Sequence, residues 1–313
     1  MKLSLIVRSY NGSKYIIQAL DSIKNEFLNS TEVIVVDNGS TDNTIQIVKN
    51  YIFKNKSFNI KLIEQKNLGP GGALNTGIKE SNAEYVGFLD SDDFFISNSG
   101  KKIFDQISLN KADIIEFGFL QFSTNLNTNY NNFYSLYRNL KGFYFLKDIK
   151  MQIFSRTNWY PFTRIFKRNL FKEVLFPNFV HYEDDMTIYK VFNKAKTFYY
   201  FNKPYIAYRV HKKSITSNHT SKQMKTLIDF YNQLNSKNEY ELMTKVRLAR
   251  TLSYLFFELN VFNDLYFKIR KEIKFVKLNK KQSNNIKFLD KFYKFYPEIY
   301  DFINRIRIKL FKI

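Results

Sequence analysis

The first ninety residues alternate short apolar runs with amphipathic stretches, and this spacing constrains the fold more than any other feature. Leu3–Val7 is apolar and is broken by Asn11-Gly12. In residues 13–28, Ile16, Leu20, Ile23 and Phe27 recur at three- to four-residue intervals, the period of a helix with one buried face. Glu32–Asp37 is a second apolar run ending in an acid, and Asn38-Gly39-Ser40 turns the chain into a helix over Asp42–Tyr51, with Ser40 or Thr41 as its expected cap. Ile60–Ile63 reads as a third strand, Asn67–Gly72 as a glycine-rich loop, Ala73–Ser81 as a helix, and Glu84–Asp90 as a fourth strand ending again in an acid. Strand–helix alternation of this length predicts right-handed crossovers and an α/β fold with a mostly parallel sheet. Ligands of such sheets bind beyond the carboxyl ends of the strands, which is where Asp37 and Asp90 fall. Helix capping is the alternative duty for each acid.

Asp90-Ser91-Asp92-Asp93 places three carboxylates within four residues. Such a cluster is costly to bury without a cation, and hard divalent ions such as Mg²⁺ or Mn²⁺ take oxygen ligands while leaving positions open for phosphate oxygens. A solvated, capping acidic turn is the competing reading. A second acidic run, His181-Tyr182-Glu183-Asp184-Asp185, precedes apolar spacing at Met186, Tyr189 and Phe192 that predicts a helix starting there. Like-charge repulsion within that run raises at least one carboxyl pKa, as suits a group that takes a proton near neutral pH.

The order SLIVRSYN, EVIVVDNGSTDNT, NLGPGGALNTG and YVGFLDSDD resembles the family 2 glycosyltransferases, closely over residues 2–100 and more loosely over 155–216. The resemblance implies a GT-A fold and an inverting, metal-dependent transfer of sugar from a nucleotide-sugar, UDP-linked in the first instance. The acceptor would be a hydroxyl of a glycan or lipid-linked molecule in surface-glycan synthesis. It further implies that Ser9, Tyr10 and Asn11 line the nucleotide pocket and that Asp37 accepts a hydrogen bond from the base. Gly69 and Asn75 would shape the loop and helix beside the donor, Asp90 and Ser91 would lie at the ribose, and Asp92 would hold Mn²⁺ or Mg²⁺. Glu183-Asp184 matches the family's catalytic pair, giving Asp184 as base and Glu183 as its orienting partner. Arg209 or His211 would meet the departing diphosphate, His211 also being a candidate metal ligand. Trp159 is a candidate for stacking on an acceptor ring, plain core being the alternative. Two positions depart from the family pattern: Arg8 stands where Pro is usual, and Leu74 where Arg is frequent.

Composition narrows the rest. Cys is absent and there are three His, which excludes a disulfide framework, a zinc–thiolate site and a thiol nucleophile. The N-terminal apolar stretch ends at Arg8, short of a signal peptide or membrane span, so a cytoplasmic enzyme is expected, with peripheral attachment to the inner membrane face. The formal net charge is +21. A nucleic-acid-binding protein would explain that charge, but acids clustered at strand ends would repel a phosphate backbone. A sugar-nucleotide-forming nucleotidyltransferase would call for a glycine-rich phosphate loop after the first strand, which SYNGSKY is not. From Lys212 onward 22 Lys and Arg face 9 Asp and Glu. β signals fade there, predicting a catalytic domain over 1–215 and a helical, basic region over 216–313. In residues 296–313, Ile299, Phe302, Ile303, Ile306, Leu310 and Ile313 fall on one helical arc beside Arg305, Arg307, Lys309 and Lys312. This is the pattern of a helix lying on an anionic membrane, docking on protein being the alternative. Residues 121–142 are rich in Asn, Ser and Tyr and predict a long loop.

Overall fold

A computed structural model describes the chain apart from residues 28–30, 110, 124–131, 136, 138, 157, 212–219, 260, 262–263, 286–292, 295–299 and 301–313. The alternating half is β1 (Leu3–Ser9), α1 (Ile16–Glu26), β2 (Thr31–Asp37), α2 (Thr44–Lys54), β3 (Ile60–Glu64), α3 (Gly69–Glu80) and β4 (Tyr85–Asp90). There follow β5 (Phe94–Phe95), α4 (Ser99–Leu109), β6 (Ile114–Ser123), β7 (Asn132–Tyr134), β8 (Gly142–Phe145), α5 (Leu146–Arg156), β9 (Arg164–Lys167), α6 (Glu183–Lys194) and β10 (Thr197–Val210). Short 3-10 turns at Pro161–Thr163 and Arg168–Phe171 flank β9, and helices α7 (Ser221–Gln233), α8 (Glu239–Glu258), α9 (Asp264–Phe275) and α10 (Lys280–Asn285) follow β10.

The strand order is β3-β2-β1-β4-β9-β6-β10-β5, with β7 on β6 and β8 on β10. The first four strands are mutually parallel. Beyond them β9 runs antiparallel to both β4 and β6, while β10 is parallel to β6. The sheet is thus parallel at its core and mixed at one side. Because β1 is flanked by β2 on one side and β4 on the other, the order reverses direction there, the place where open α/β sheets leave a crevice for ligands. Register fixes what lines that crevice: Ser9 pairs with Asp37, and Arg8 with Asp90.

The inner strands β1, β2 and β4 are covered on both faces and are apolar nearly throughout, whereas the edge strand β3 is half-buried and carries Lys61 and Glu64. Leu3, Leu5 and Val7 of β1 join Val33 and Val35 of β2, the α1 residues Ile16, Ala19, Leu20 and Ile23, and Val48 of α2 in one buried cluster. Ile6 points to the other face, toward Gly77 of α3; a Cβ at Gly77 would fall 2.3 Å from Ile6 Cγ2, so only glycine lets helix and strand approach this closely.

Several local expectations change. Neither Ser40 nor Thr41 caps α2, which begins after Asn43 without a side-chain cap. The Ser40 hydroxyl donates instead to Asp37 Oδ2 (2.5 Å), and the Thr41 N–H donates to Asn11 Oδ1 (2.8 Å). Helix α6 does begin at Glu183, but its buried residues include Ile188, Val191 and Phe192 rather than Met186 and Tyr189. The stretch expected as one loop over 121–142 carries the end of β6, the short β7 and the start of β8; its residues 124–131 lie outside the described set.

The chain divides into two compact units: residues 1–146 with 158–212, and residues 147–157 with 213–313. The second unit is helical among its described residues. A capping box starts α7, Thr220 Oγ1 accepting from the Gln223 N–H while Gln223 Oε1 accepts from the Thr220 N–H. Lys245 of α8 pairs with Glu272 of α9 at 2.9 Å. The 147–157 segment belongs here because Phe154, fully buried, packs against Tyr240, over which Lys150 also lies. The basic terminal segment 296–313 falls outside the described residues save for Tyr300. Among the described residues no helix is long and apolar enough to cross a membrane.

Candidate active site

The carboxyl ends of β1, β2 and β4 form one rim. At β1 the chain leaves the sheet through Asn11, whose φ of 54° lies in the left-handed region that Asn tolerates. Asn11 also ties two loops together: its N–H donates to Ser40 Oγ (2.9 Å) and its Oδ1 accepts from the Thr41 N–H. Tyr10 beside it is 53% exposed, an aromatic face available to a ligand. Ser9 is buried, and its hydroxyl has no hydrogen-bond partner among the described residues. Asp37 is fully buried; Oδ1 accepts from the Gly39 and Ser40 N–H groups and Oδ2 from the Ser40 hydroxyl. A carboxylate has about four lone-pair sites. With three of these sites taken, Asp37 anchors its own turn.

The β4 end forms a tight turn, the Asp93 N–H donating to the Asp90 carbonyl at 3.0 Å. Its three acids take different surroundings. Asp90 is held by Arg8, through Nε to Oδ1 and through Nη2 to Oδ2 (3.1 Å). Asp92 Oδ2 lies 3.0 Å from His211 Nε2, and the His211 ring stacks beside Tyr15. Asp93 is buried and accepts the Arg209 N–H (2.8 Å). Burial, with Asp90 adding like charge, raises the Asp92 carboxyl against the opposing pull of His211. Burial, then Asp92 and Asp90, lifts Asp93 well above the carboxylate range.

Arg209 is placed differently from the expectation that it meets a leaving diphosphate. It is 4% exposed, its guanidinium caged between the rings of Tyr15 (4.2 Å) and Phe122 (4.6 Å). Nε donates to the Asp92 carbonyl and Nη2 to Gln18 Oε1. Arg209 thus braces the acidic turn from behind. Trp159 is corrected as well: at 1% exposure and packed edge-on against Phe192, its ring has no free face for a sugar.

Residues 176–182 lie as a strap across α3 and deliver the second acidic run to the rim. The Asn75 amide grips Phe176 at both backbone groups, donating to its carbonyl (2.8 Å) and accepting its N–H (2.9 Å). The Phe179 N–H donates to the Leu68 carbonyl. Gly69 makes this crossing possible: its φ is +76°, and a Cβ there would fall 2.5 Å from Phe179 N. Gly69→Ala is accordingly expected to cost about 1–3 kcal/mol and to lift the strap, lowering activity more than the stability loss alone accounts for. Melting temperature and turnover measured on the same preparation check it; unchanged turnover would detach the strap from the site.

The strap ends at Tyr182, itself left-handed (φ 65°), and α6 begins. Glu183 Oε1 accepts from Arg8 Nη1 at 2.7 Å. One guanidinium on β1 therefore holds the acidic turn after β4 and the acidic start of α6 on the same rim. Its own positive charge is strongly maintained: burial alone would favour losing the proton, but Asp90 and Glu183 outweigh it. The adjacent Asp184 carboxyl is raised well above its ordinary value by burial, then by Glu183 and Asp185, with Arg8 opposing. A carboxyl raised in this way is a candidate proton acceptor.

The model of glycosyl transferase family 2 matches residues 4–175, more than half of the chain and the whole of this rim up to the strap. The chain belongs to that family. It is 27% identical to the glycosyltransferase EpsJ of Bacillus subtilis over 241 residues, spanning 74% of this chain and 70% of EpsJ. It is 30% identical to the glycosyltransferase GlyA of Streptococcus pneumoniae over 235 residues, 73% of this chain but only 33% of GlyA. The crystal structure of Staphylococcus aureus TarS residues 1–349 in complex with UDP-GlcNAc superposes with a TM-score of 0.69 at 23% identity, covering 99% of this chain and 91% of that one. The protein is a glycosyltransferase with the GT-A fold.

Family 2 enzymes commonly use a divalent metal, and the residues present suit one in part. Two donors on adjacent corners of an octahedral ion with bonds of about 2.1 Å stand about 3 Å apart; Asp92 Oδ2 and His211 Nε2 stand at 3.0 Å. Among the described residues no group of three or more His, Cys, Asp or Glu could hold a metal ion. Arg8 is the site residue that motif spacing missed. Its signal was its departure from the family pattern: a charged residue near the end of an otherwise apolar strand.

Proposed function

We propose that this chain transfers a sugar from a nucleoside-diphosphate sugar to an acceptor hydroxyl with inversion, Asp184 serving as general base. The observation that carries it is the convergence of Asp90 and Glu183 on Arg8, since it puts the donor-side turn and the base-bearing helix at one rim. Tyr10, with Ser9 and Asn11, receives the base of the nucleotide over the turn anchored by Asp37. Gly69 and Asn75 shape the wall beside it. Asp90 has lone pairs left for the ribose after its two bonds to Arg8, with Ser91 next to it. Asp92 and His211 would hold Mn²⁺ or Mg²⁺, which when bound supplies positive charge to the diphosphate. Asp184 takes the acceptor proton while Glu183, fixed by Arg8, orients the start of α6. Transfer in a single displacement needs no covalent nucleophile.

A UDP-sugar is the donor supported best, because TarS, the structural neighbour described above, was solved with UDP-GlcNAc. TarS is a poly(ribitol-phosphate) beta-N-acetylglucosaminyltransferase, 37% identical over 118 residues of this chain. That likeness supports a glycan or lipid-linked acceptor in bacterial surface-glycan synthesis. The unit of residues 1–146 with 158–212 would carry the catalysis and the helical unit the extension, whose basic terminal sequence suits a peripheral position on an anionic membrane, at its cytoplasmic face.

The test is release of nucleoside diphosphate across a panel of nucleotide-sugars, with and without Mn²⁺ or Mg²⁺. One donor with ion-dependent turnover is expected. Asp92→Ala should lower kcat by about 10²-fold and weaken Mn²⁺ binding followed by electron paramagnetic resonance. Wild-type turnover in the variant would remove Asp92 from the metal.

A further inference from the structure

We propose that Arg8 is a positioning residue for the transfer: it clamps the donor-side turn and the base-bearing start of α6 into one rigid unit, setting the distance between the two reacting partners. The inference rests on the function proposed above but goes beyond it, since the family resemblance assigns this position no role and usually places Pro there.

Three observations carry it. Arg8 and Asp90 are register partners on adjacent parallel strands, so their side chains leave the sheet on the same face at the same level. All three of the guanidinium nitrogens are engaged, Nε and Nη2 on Asp90 and Nη1 on Glu183, and the planar fork leaves little freedom to either carboxylate. Finally, the strap needs fixing at its end: it arrives with left-handed residues at Phe179 and Tyr182, and Tyr182 gives α6 no side-chain cap. Without Arg8, Asp90 and Glu183 would face each other as bare carboxylates and push α6 off the rim.

The clamp also sets the charge around Asp184. Glu183 and Asp185 face it from α6, Arg8 from β1, and Asp90 stands behind Arg8 from β4. Arg8 is the member of this set that favours the ionised base.

Arg8→Met and Arg8→Lys test the proposal in the full chain. Arg8→Met should lower kcat by about 10- to 100-fold, with a smaller change in donor KM, because loss of alignment acts on the reacting geometry more than on ground-state binding. Its acid limb in the pH–kcat profile should move to higher pH. Arg8→Lys, which keeps charge but loses the fork, should recover part of the rate and most of the limb position. Amide exchange supplies a readout that needs no turnover: Arg8→Met should raise exchange of residues 182–186 by about tenfold or more while β1 and β4 keep their protection. If the wild type turns over no donor, the function reading fails and exchange alone decides whether the clamp exists. Unchanged exchange at 182–186 overturns the clamp. Raised exchange with wild-type kcat and an unmoved acid limb overturns its positioning role. Should Arg8→Met fail to fold, Arg8→Lys decides on the same three readouts.

Discussion

Asp184→Asn is expected to lower turnover by about 10³-fold, within the range of a lost general base, while the protein keeps its melting temperature. Asn matches Asp in size and can still occupy the helix N-terminus, but it cannot take the acceptor proton. The wild-type profile carries the sign of the same group. Its carboxyl is raised by burial and by Glu183 and Asp185, so the ionised, active form is lost as pH falls through a value above the usual carboxylate range. Activity should therefore decline on the acid side at a pH where exposed carboxylates remain fully ionised, and Asp184→Asn should flatten that limb. Glu183→Gln gives a contrast, weakening the bond to Arg8 while keeping the Asp184 carboxyl itself. Steady-state rates of nucleoside diphosphate release from pH 5 to 9 check all three statements. An Asp184→Asn variant within a few-fold of wild type would end the assignment.

The second large effect concerns stability. Glu116 of β6 and Arg164 of β9 form an ion pair at 2.8 Å with both side chains fully buried. Arg164 also donates to the carbonyls of Tyr160 and Asn158. Removing one partner of such a pair leaves an uncompensated buried charge and costs about 3–5 kcal/mol, whereas replacing both with apolar residues is often neutral. Arg164→Met should thus lower the melting temperature by about 10 °C. Glu116→Leu with Arg164→Met should restore most of it. Burial pushes Glu116 up to about 7 against the pull of Arg164. A folded-state pKa above the unfolded one means the native protein holds more protons between the two values, so this contribution to stability falls as pH rises from the ordinary carboxylate range to about 7 and is level above it. Thermal unfolding of the wild type, the single and the double variant across that window tests the pair. An unchanged melting temperature in the single variant would show that the pair is not desolvated.

The parallel half of the fold was legible because its periodicities are local. The expected strand at Glu32–Asp37 and helix around Ala73–Ser81 appear as Thr31–Asp37 and Gly69–Glu80, and both strand-end acids stand on the rim. Ser40 and Thr41 do not cap α2 because they are drawn into bonds with the Asp37 and Asn11 side chains, a preference fixed by the neighbouring loop and not by the helix. Trp159 and Arg209 look functional by residue type, yet their exposure is decided by Phe192, Tyr15 and Phe122, which sequence spacing cannot bring together. The mixed half of the sheet was not legible at all: β9 inserts between β4 and β6 through pairings that only the folded chain defines.

The placement of β1 at the centre of the parallel core has a consequence for biosynthesis. Arg8 leaves the ribosome early, Asp90 is its partner 82 positions on, and Glu183 follows 175 positions after Arg8. At about 5–20 residues per second, the interval between those two partners is on the order of 5–20 s. Nascent chains therefore pass through a period in which β1 and β4 have both been made while the start of α6 is still inside the translation machinery.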